Sequence, residues 1–403
     1  MEIGFAKVNI TPPILTCSNG GFYDDPKALH LGVHDELYAR AIVFQEGNQM
    51  AAIVSADLIN LPRHTVESIK EMIGKHTGLA GESIILHATH QHSGPFSYRK
   101  KEGIRNDAYW TVTEQKIVGV VYSALQDMQP CLIGAGSTDL DMSLNRRILQ
   151  EDGTVLYLPH HPGLTPNQVV DQEVGVVSFR KLDKRPLVTL INYSCHPLTI
   201  GFVPRMISAD FPGAVVREVE NRLFGSAVYT GGACGNIHPK KHCEGFEAMD
   251  ELGRAIADRA IEVLPFIQTG KGGEPRTLYR EVDLELNPDK MDGNEDIAEY
   301  REGRTYRFGI TVIALNEIAF VAIPCEYFVE FQLEIKKQSP FAHTYLLTTS
   351  NGYAGYVPDR KAYDQGGYEV NSTKFMPGSG EMIQENILQA LRELAGDRAG
   401  AKE

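Results

Sequence analysis

The sequence predicts a mixed α/β fold, with central mixed β-sheets flanked by helices. Two observations carry this expectation. Short apolar runs rich in β-branched residues recur along the whole chain, and amphipathic stretches with helical spacing lie between them. A third observation is composition: of 403 residues, 42% are hydrophobic and 23% charged, the balance of an ordinary globular protein.

The elements follow in order. Ala39–Phe44 and Ala51–Ser55 read as strands, Arg63–Thr77 as a helix, and Ser83–Leu86 as another strand. Ala108–Asp127 has helical spacing. Val174–Phe179, Leu187–Tyr193 and Ala227–Thr230 read as strands, and Pro212–Leu223 and Phe246–Leu264 as helices. Ile310–Ala314, Ile318–Ile323 and Thr344–Thr348 are the last strands. Gly378-Ser379-Gly380 starts a final helix, Glu381–Leu394. The glycine-rich Thr269–Pro275 is the best linker, and the acidic stretch Asp289–Arg304 reads as a solvated helix or an exposed loop. No internal repeat or low-complexity segment is visible.

Length and charge bound the function. A chain of this size can bury a large core, and length alone predicts two or three domains. A formal charge of −13 without a long basic run argues against nucleic acid or an anionic membrane surface as the main partner. No stretch is long enough to span a bilayer, and residues 1–7 show no signal-peptide pattern. The six cysteines include no Cys-x-x-Cys pair, which fits a reduced, cytoplasmic protein. The charge says nothing positive about the substrate, and a small-molecule partner is expected only from the family resemblance given below. A homo-oligomer stays open.

The densest chemistry is Leu86-His87-Ala88-Thr89-His90-Gln91-His92-Ser93-Gly94-Pro95. If the strand stays extended, His90 and His92 share a face. Imidazole suits both zinc ligation and proton transfer near neutral pH. Further groups end other apolar runs: His196 after Tyr193-Ser194-Cys195, His238 after the glycine loop Gly231–Ile237, Glu326 after Pro324-Cys325, and the tyrosines 353, 356, 363 and 368. The glycine loop has neither Walker nor dinucleotide spacing, so it is not a phosphate cradle.

Taken together, Lys7 to Pro13, Val33 to Ala41, Ser55-Ala56-Asp57, His90 to Pro95, Asn145-Arg146, Asn192 to His196, Ser208-Ala209-Asp210, Gly235 to Pro239 and Pro324-Cys325-Glu326 occur in one order. In that order and spacing the chain resembles the catalytic domain of the neutral/alkaline non-lysosomal ceramidases. The resemblance implies one zinc per chain, held by His90, His196, Glu326 and Tyr356. It implies His92 beside the metal as a proton carrier, and Arg146 and Tyr368 facing the substrate. Tyr353 competes with Tyr356, but Tyr356 has the family's spacing to Tyr368. Asp57 and Asp210 are candidates to orient a histidine. Ligands spread from 90 to 356 imply that residues 1–403 form a single catalytic domain and that Thr269–Pro275 is a surface loop.

Three departures bear on function. The family carries Gly-Asp-x-Ser-Pro where this chain reads Gly235-Asn236-Ile237-His238-Pro239, so His238 stands in place of a catalytic serine. The family's C-terminal immunoglobulin-like domain is not expected here. The family is usually secreted, whereas no export signal is read here. The expectation is therefore a ceramidase-like relative: a zinc-dependent amidohydrolase acting with metal-activated water on a small or polar N-acylated substrate, with His92, Arg146, His238 and Tyr368 catalytic. The alternatives are hydrolysis of an ester, lactone or glycosidic bond in a small carbohydrate, and a non-catalytic zinc- or ligand-binding protein.

Overall fold

The apolar runs of the sequence build two sheets, and their continuity has a structural cause. In Tyr38–Glu46, Ala41 and Val43 face helices while Ile42 and Phe44 face the second sheet, so both faces are buried. The computed structural model describes residues 1–20, 27–97, 103–161, 163–201, 205–290, 295–298 and 304–400.

The larger sheet has nine strands. Eight run across it in the order Ser226–Gly231, Pro186–Tyr193, Glu173–Lys181, Gln129–Asp139, Glu2–Asn9, Tyr38–Glu46, Gln49–Ala56 and Ile84–Ala88. Neighbours are antiparallel except for the outermost pair on each side, which is parallel. The smaller sheet runs Arg276–Glu285, Thr305–Leu315, Ile318–Ala322, His343–Leu347, with the last pair parallel. Ile53, Ile85 and Leu190 of the larger sheet pack on Ile313, Phe320 and Leu347 of the smaller. Helices Arg63–Thr77, Asp107–Gln126, Asp210–Leu223 and Phe246–Val263 cover the outer face of the larger sheet. Val329–Gln338 and Ser379–Gly400 cover that of the smaller. The layers are helix, sheet, sheet, helix.

Parallel neighbours need a long crossover, and each of the three parallel pairs is joined through a helix. Arg63–Thr77, Asp210–Leu223 and Val329–Gln338 make these crossovers. The carboxyl ends of the three pairs meet. Ala88 N donates to Thr349 O at 3.2 Å, Thr348 N to Gly231 O at 3.1 Å, and Asn351 N to Leu86 O at 2.9 Å. The sequence shows no repeat, yet both flanks of the larger sheet carry the same hairpin, helix and parallel strand.

The expected mixed α/β class is the observed one. Every expected strand and helix is present, with ends shifted by a few residues. Glu2–Asn9, Gln129–Asp139, Arg276–Glu285 and Val329–Gln338 were not foreseen. The glycine-rich Thr269–Pro275 is pinned: Gly270–Lys271 pairs with Gln129–Asp139, and Gly273 N bonds the Asn316 side chain. Of the acidic stretch, residues 291–294 and 299–303 lie outside the described residues. Within it, Glu295–Ala298 is a short helix that buries Asp296 and Ile297, while Asp289 and Arg304 at the ends of the stretch are exposed. Among the described residues, no helix is long and apolar enough to cross a membrane.

Candidate metal centre and substrate site

The site lies where the three sets of strand ends converge. The strand Ile84–Ala88 stops before His90, whose backbone turns left-handed at φ 67°. Such a conformation is uncommon for a residue with a Cβ and needs outside support. Thr89 N and His90 N supply it by bonding Ala56 O and Leu58 O. The two histidines therefore do not share a strand face as extended spacing predicts. The turn brings their rings together instead, with centroids 5.0 Å apart and planes at 81°.

His90 Nδ1 faces Ile59 O at 2.6 Å, and His196 Nδ1 faces Cys234 O at 2.6 Å. A carbonyl only accepts, so each Nδ1 carries its proton and each Nε2 presents a lone pair. Both Nε2 atoms point toward Glu326. Its Oε2 lies 3.0 Å from His196 Nε2 and 3.5 Å from His90 Nε2, outside hydrogen-bonding geometry, and all three atoms are buried without a partner. Glu326 Oε1 accepts from the Tyr353 hydroxyl at 2.5 Å, which turns Oε2 toward the imidazoles. Tyr353 is itself held through its backbone N by Asp296 Oδ2 at 2.7 Å.

Three convergent, unbonded lone-pair atoms in a dry site repel one another and cost desolvation energy unless a cation lies among them. Two ligands at the usual zinc distances, in tetrahedral arrangement, lie about 3.3 Å apart. The observed 3.0 and 3.5 Å bracket that value. His92 adds a third imidazole: suitable donor atoms of His90, His92 and His196 all lie within 4.8 Å of one another. The donor set fits a divalent metal. Burial pushes the Glu326 carboxyl up, but positive charge at this point, supplied by His90 and His196 when they are protonated, outweighs it and holds the carboxyl well below the ordinary range. Burial lowers His196 as well.

A second cluster adjoins the first. Arg146 is fully enclosed where Ser143–Asn145 pairs with Ile237–Pro239. Its guanidinium donates to Glu369 Oε1 at 2.7 Å, His238 Nε2 at 2.6 Å and Gly235 O at 2.6 Å. The rings of Tyr157, Tyr356 and Tyr368 surround it at 5.4–5.5 Å. Arg147 Nη1 donates to the other oxygen of Glu369 at 2.8 Å. His238 lies 5.5 Å from the His196 ring and stacks on His242 at 4.2 Å. Burial, then Arg146, lower His242 to about 4.

Tyr356 pairs with Glu326 across a short parallel bridge. Burial and the Glu326 carboxylate push its phenol well above the ordinary value, and Arg146 opposes them. Gly235 lets the loop close on this bridge, because a Cβ there would sit 2.7 Å from Glu326 O. The glycine loop thus approaches the backbone at Glu326.

A family model described as "Neutral/alkaline non-lysosomal ceramidase, N-terminal" matches residues 1–235. The chain belongs to this family. It is 24% identical over 203 residues to neutral ceramidase B of Dictyostelium discoideum, a match spanning 47% of this chain and 28% of that relative's length. Two solved structures share the fold at 19% identity. One, described as a ceramidase complexed with C2, has a TM-score of 0.80 and covers 97% of this chain and 75% of that one. The other is the neutral ceramidase from Pseudomonas aeruginosa, with a TM-score of 0.79 over 96% and 73%.

The structure brings together all eight residues singled out in the sequence: His90, His92, His196, Glu326, Tyr356, Arg146, His238 and Tyr368. It separates Asp57 and Asp210 from them. Asp57 bonds Arg40 and Tyr38 N, and Asp210 bonds Thr199, Ile200 N and Phe211 N. Backbone carbonyls orient the histidines instead. Sequence reasoning missed Glu369, Arg147, Tyr157 and His242. Glu369 directly follows Tyr368, and Arg147 directly follows Arg146, so adjacency to a named residue was the available signal.

Proposed function

We propose that this chain is a zinc-dependent hydrolase that uses metal-activated water to cleave the amide bond of a small or polar N-acylated substrate. The observation carrying this reading is the convergence of His90 Nε2, His196 Nε2 and Glu326 Oε2, buried and unbonded, 3.0 and 3.5 Å from nitrogen to carboxylate. These residues and Tyr356 would hold the metal. When bound, zinc polarises a carbonyl oxygen and lowers the pKa of a water toward about 7.

The chain's own groups then have distinct tasks. Tyr353 fixes the Glu326 carboxylate through Oε1. His92, more open to solvent than His90, accepts a proton from water and returns it to the leaving amine. Tyr368, 47% exposed, meets the substrate at the mouth. Arg146 spends three N–H groups inside the protein, so it positions His238 and Glu369 while its charge faces the developing oxyanion. The same proposal carries a single catalytic domain and a cytoplasmic location.

The test is metal content and turnover together. The purified chain is stripped with chelator, reloaded with zinc, and assayed on matched amide, ester and glycoside substrates. One zinc per chain, lost in His90→Ala and His196→Ala, with amide turnover restored by zinc, is expected. Turnover of glycosides alone would move the reading to the carbohydrate alternative, and zinc binding without turnover to a binding protein.

A further inference from the structure

His238 has one nitrogen whose role the geometry decides and one that no described residue bonds. Arginine has no acceptor, so His238 Nε2, 2.6 Å from Arg146 Nη1, must accept. The proton of the neutral ring is then on Nδ1. This Nδ1 is buried and has no hydrogen-bond partner among the described residues, in a side chain with no solvent exposure. A buried N–H left unmatched is costly and marks a place for a ligand acceptor.

The charge around it is also unbalanced. Arg146 and Arg147 share a single carboxylate, that of Glu369. Two positive charges against one negative leave one positive charge in the enclosed cluster. Of the neighbouring acids, Glu330 turns to the Asn145 and Asn236 amides, and Glu326 turns to Tyr353, His90 and His196. The remaining walls are the rings of Tyr157, Tyr356 and Tyr368 and the stacked imidazole of His242. The cluster therefore offers a fixed donor in a positive field, with the His238 ring beside His196.

We propose that His238 is a specificity-determining donor that receives a carboxylate of the substrate through Nδ1–H, so that the preferred substrates are carboxylate-bearing N-acyl compounds of the N-acyl amino acid class. This deepens the zinc hydrolase reading and rests on it for the bond cleaved. It also removes His238 as a general base, since its lone pair is engaged by Arg146. A donor–carboxylate contact is charge-assisted, and an uncharged amide in the same place accepts more weakly.

The experiment uses N-acetylglycine and its uncharged N-methylamide as probes. Binding to the zinc-loaded and zinc-stripped chain is measured by calorimetry, and turnover by amine release. The wild type is expected to bind the carboxylate at least about tenfold more tightly. In His238→Leu the ratio should fall below about threefold. In His238→Asn, which keeps a side-chain N–H, part of the preference should return. Nitrogen-15 NMR of histidine-labelled wild type should show the Nδ1–H tautomer at His238, a readout independent of whether a variant folds. An Nε2–H tautomer, no preference in the wild type, or a preference that survives in His238→Leu would overturn the proposal. A His238-dependent preference in a chain that binds no zinc would support this donor role while sinking the zinc reading.

Discussion

At the scale of single residues, the site is organised by where each proton must be. His90 and His196 give their Nδ1 protons to backbone carbonyls, which leaves both Nε2 lone pairs for a metal. Tyr353 does the equivalent for Glu326 by occupying Oε1. Supporting hydrogen bonds of this kind commonly contribute 10- to 100-fold, roughly, in metal affinity. Tyr353→Phe should weaken zinc binding by about that factor while leaving the fold intact. Competition with a chromophoric chelator reads it, and an unchanged affinity would remove Tyr353 from the site's support. Arg146, Arg147 and Glu369 form a buried ionic group of a different sort. Removing one member strands charge in a dry interior, which costs about 3–5 kcal/mol. Urea denaturation should show a loss of that order in Glu369→Ala, and a smaller one in Glu369→Gln, whose amide oxygen still accepts.

Between elements, His87 is the stitch that closes the site from behind. Its Nδ1 faces Thr348 O at 3.0 Å, and its Nε2 accepts from Gly231 N at 3.0 Å. One imidazole thus joins the ends of Ile84–Ala88, Ser226–Gly231 and His343–Leu347. Both nitrogens are committed in the neutral form, and burial lowers its pKa to about 3. The unfolded chain, with an ordinary histidine pKa near 6.5, binds more protons across the interval between. Stability from this group is therefore complete above about pH 6.5 and is lost as pH falls toward 3. The slope of unfolding free energy between pH 6.5 and 4 should flatten in His87→Gln, whatever its absolute stability. Equal slopes in both proteins would refute it.

The same elements explain what the sequence made legible. Strands buried on both faces read as continuous apolar runs and were found, as were helices with clear apolar spacing. Arg276–Glu285 was missed because it alternates: Val282 and Leu284 are buried while Glu281 and Asp283 face outward beside Arg307. Gln129–Asp139 was missed because Gly134 and Gly136 replace side chains where Ile267 packs. In the site, residues ending apolar runs were found by position. The carbonyls of Ile59 and Cys234, and the carboxylate of Glu369, have no local signature, because their roles arise from tertiary contact alone.

For the whole molecule, the decisive feature is that the proposed metal donors come from different layers. His90 and His196 follow strands of the larger sheet, and Glu326 follows Ile318–Ala322 of the smaller. The sheets already share an apolar core, so zinc does not create the fold. It would close one side of it, replacing repulsion between strand ends with a bond across the layers. A ligand that binds only the native state stabilises by about 4 kcal/mol at a concentration a thousandfold above its dissociation constant. Zinc loading should therefore raise the unfolding midpoint of the whole chain in one transition. Hydrogen exchange should slow together at the carboxyl ends of Ile84–Ala88, Pro186–Tyr193 and Ile318–Ala322. Glu326→Ala should weaken the coupled protection most, because it leaves Tyr356 as the one proposed donor from the side of the smaller sheet. His92→Ala should preserve most of it, since His92 comes from the same turn as His90. Protection confined to the larger sheet in the wild type would show instead that the three imidazoles bind the metal without Glu326, and the proposed ligand set would have to change.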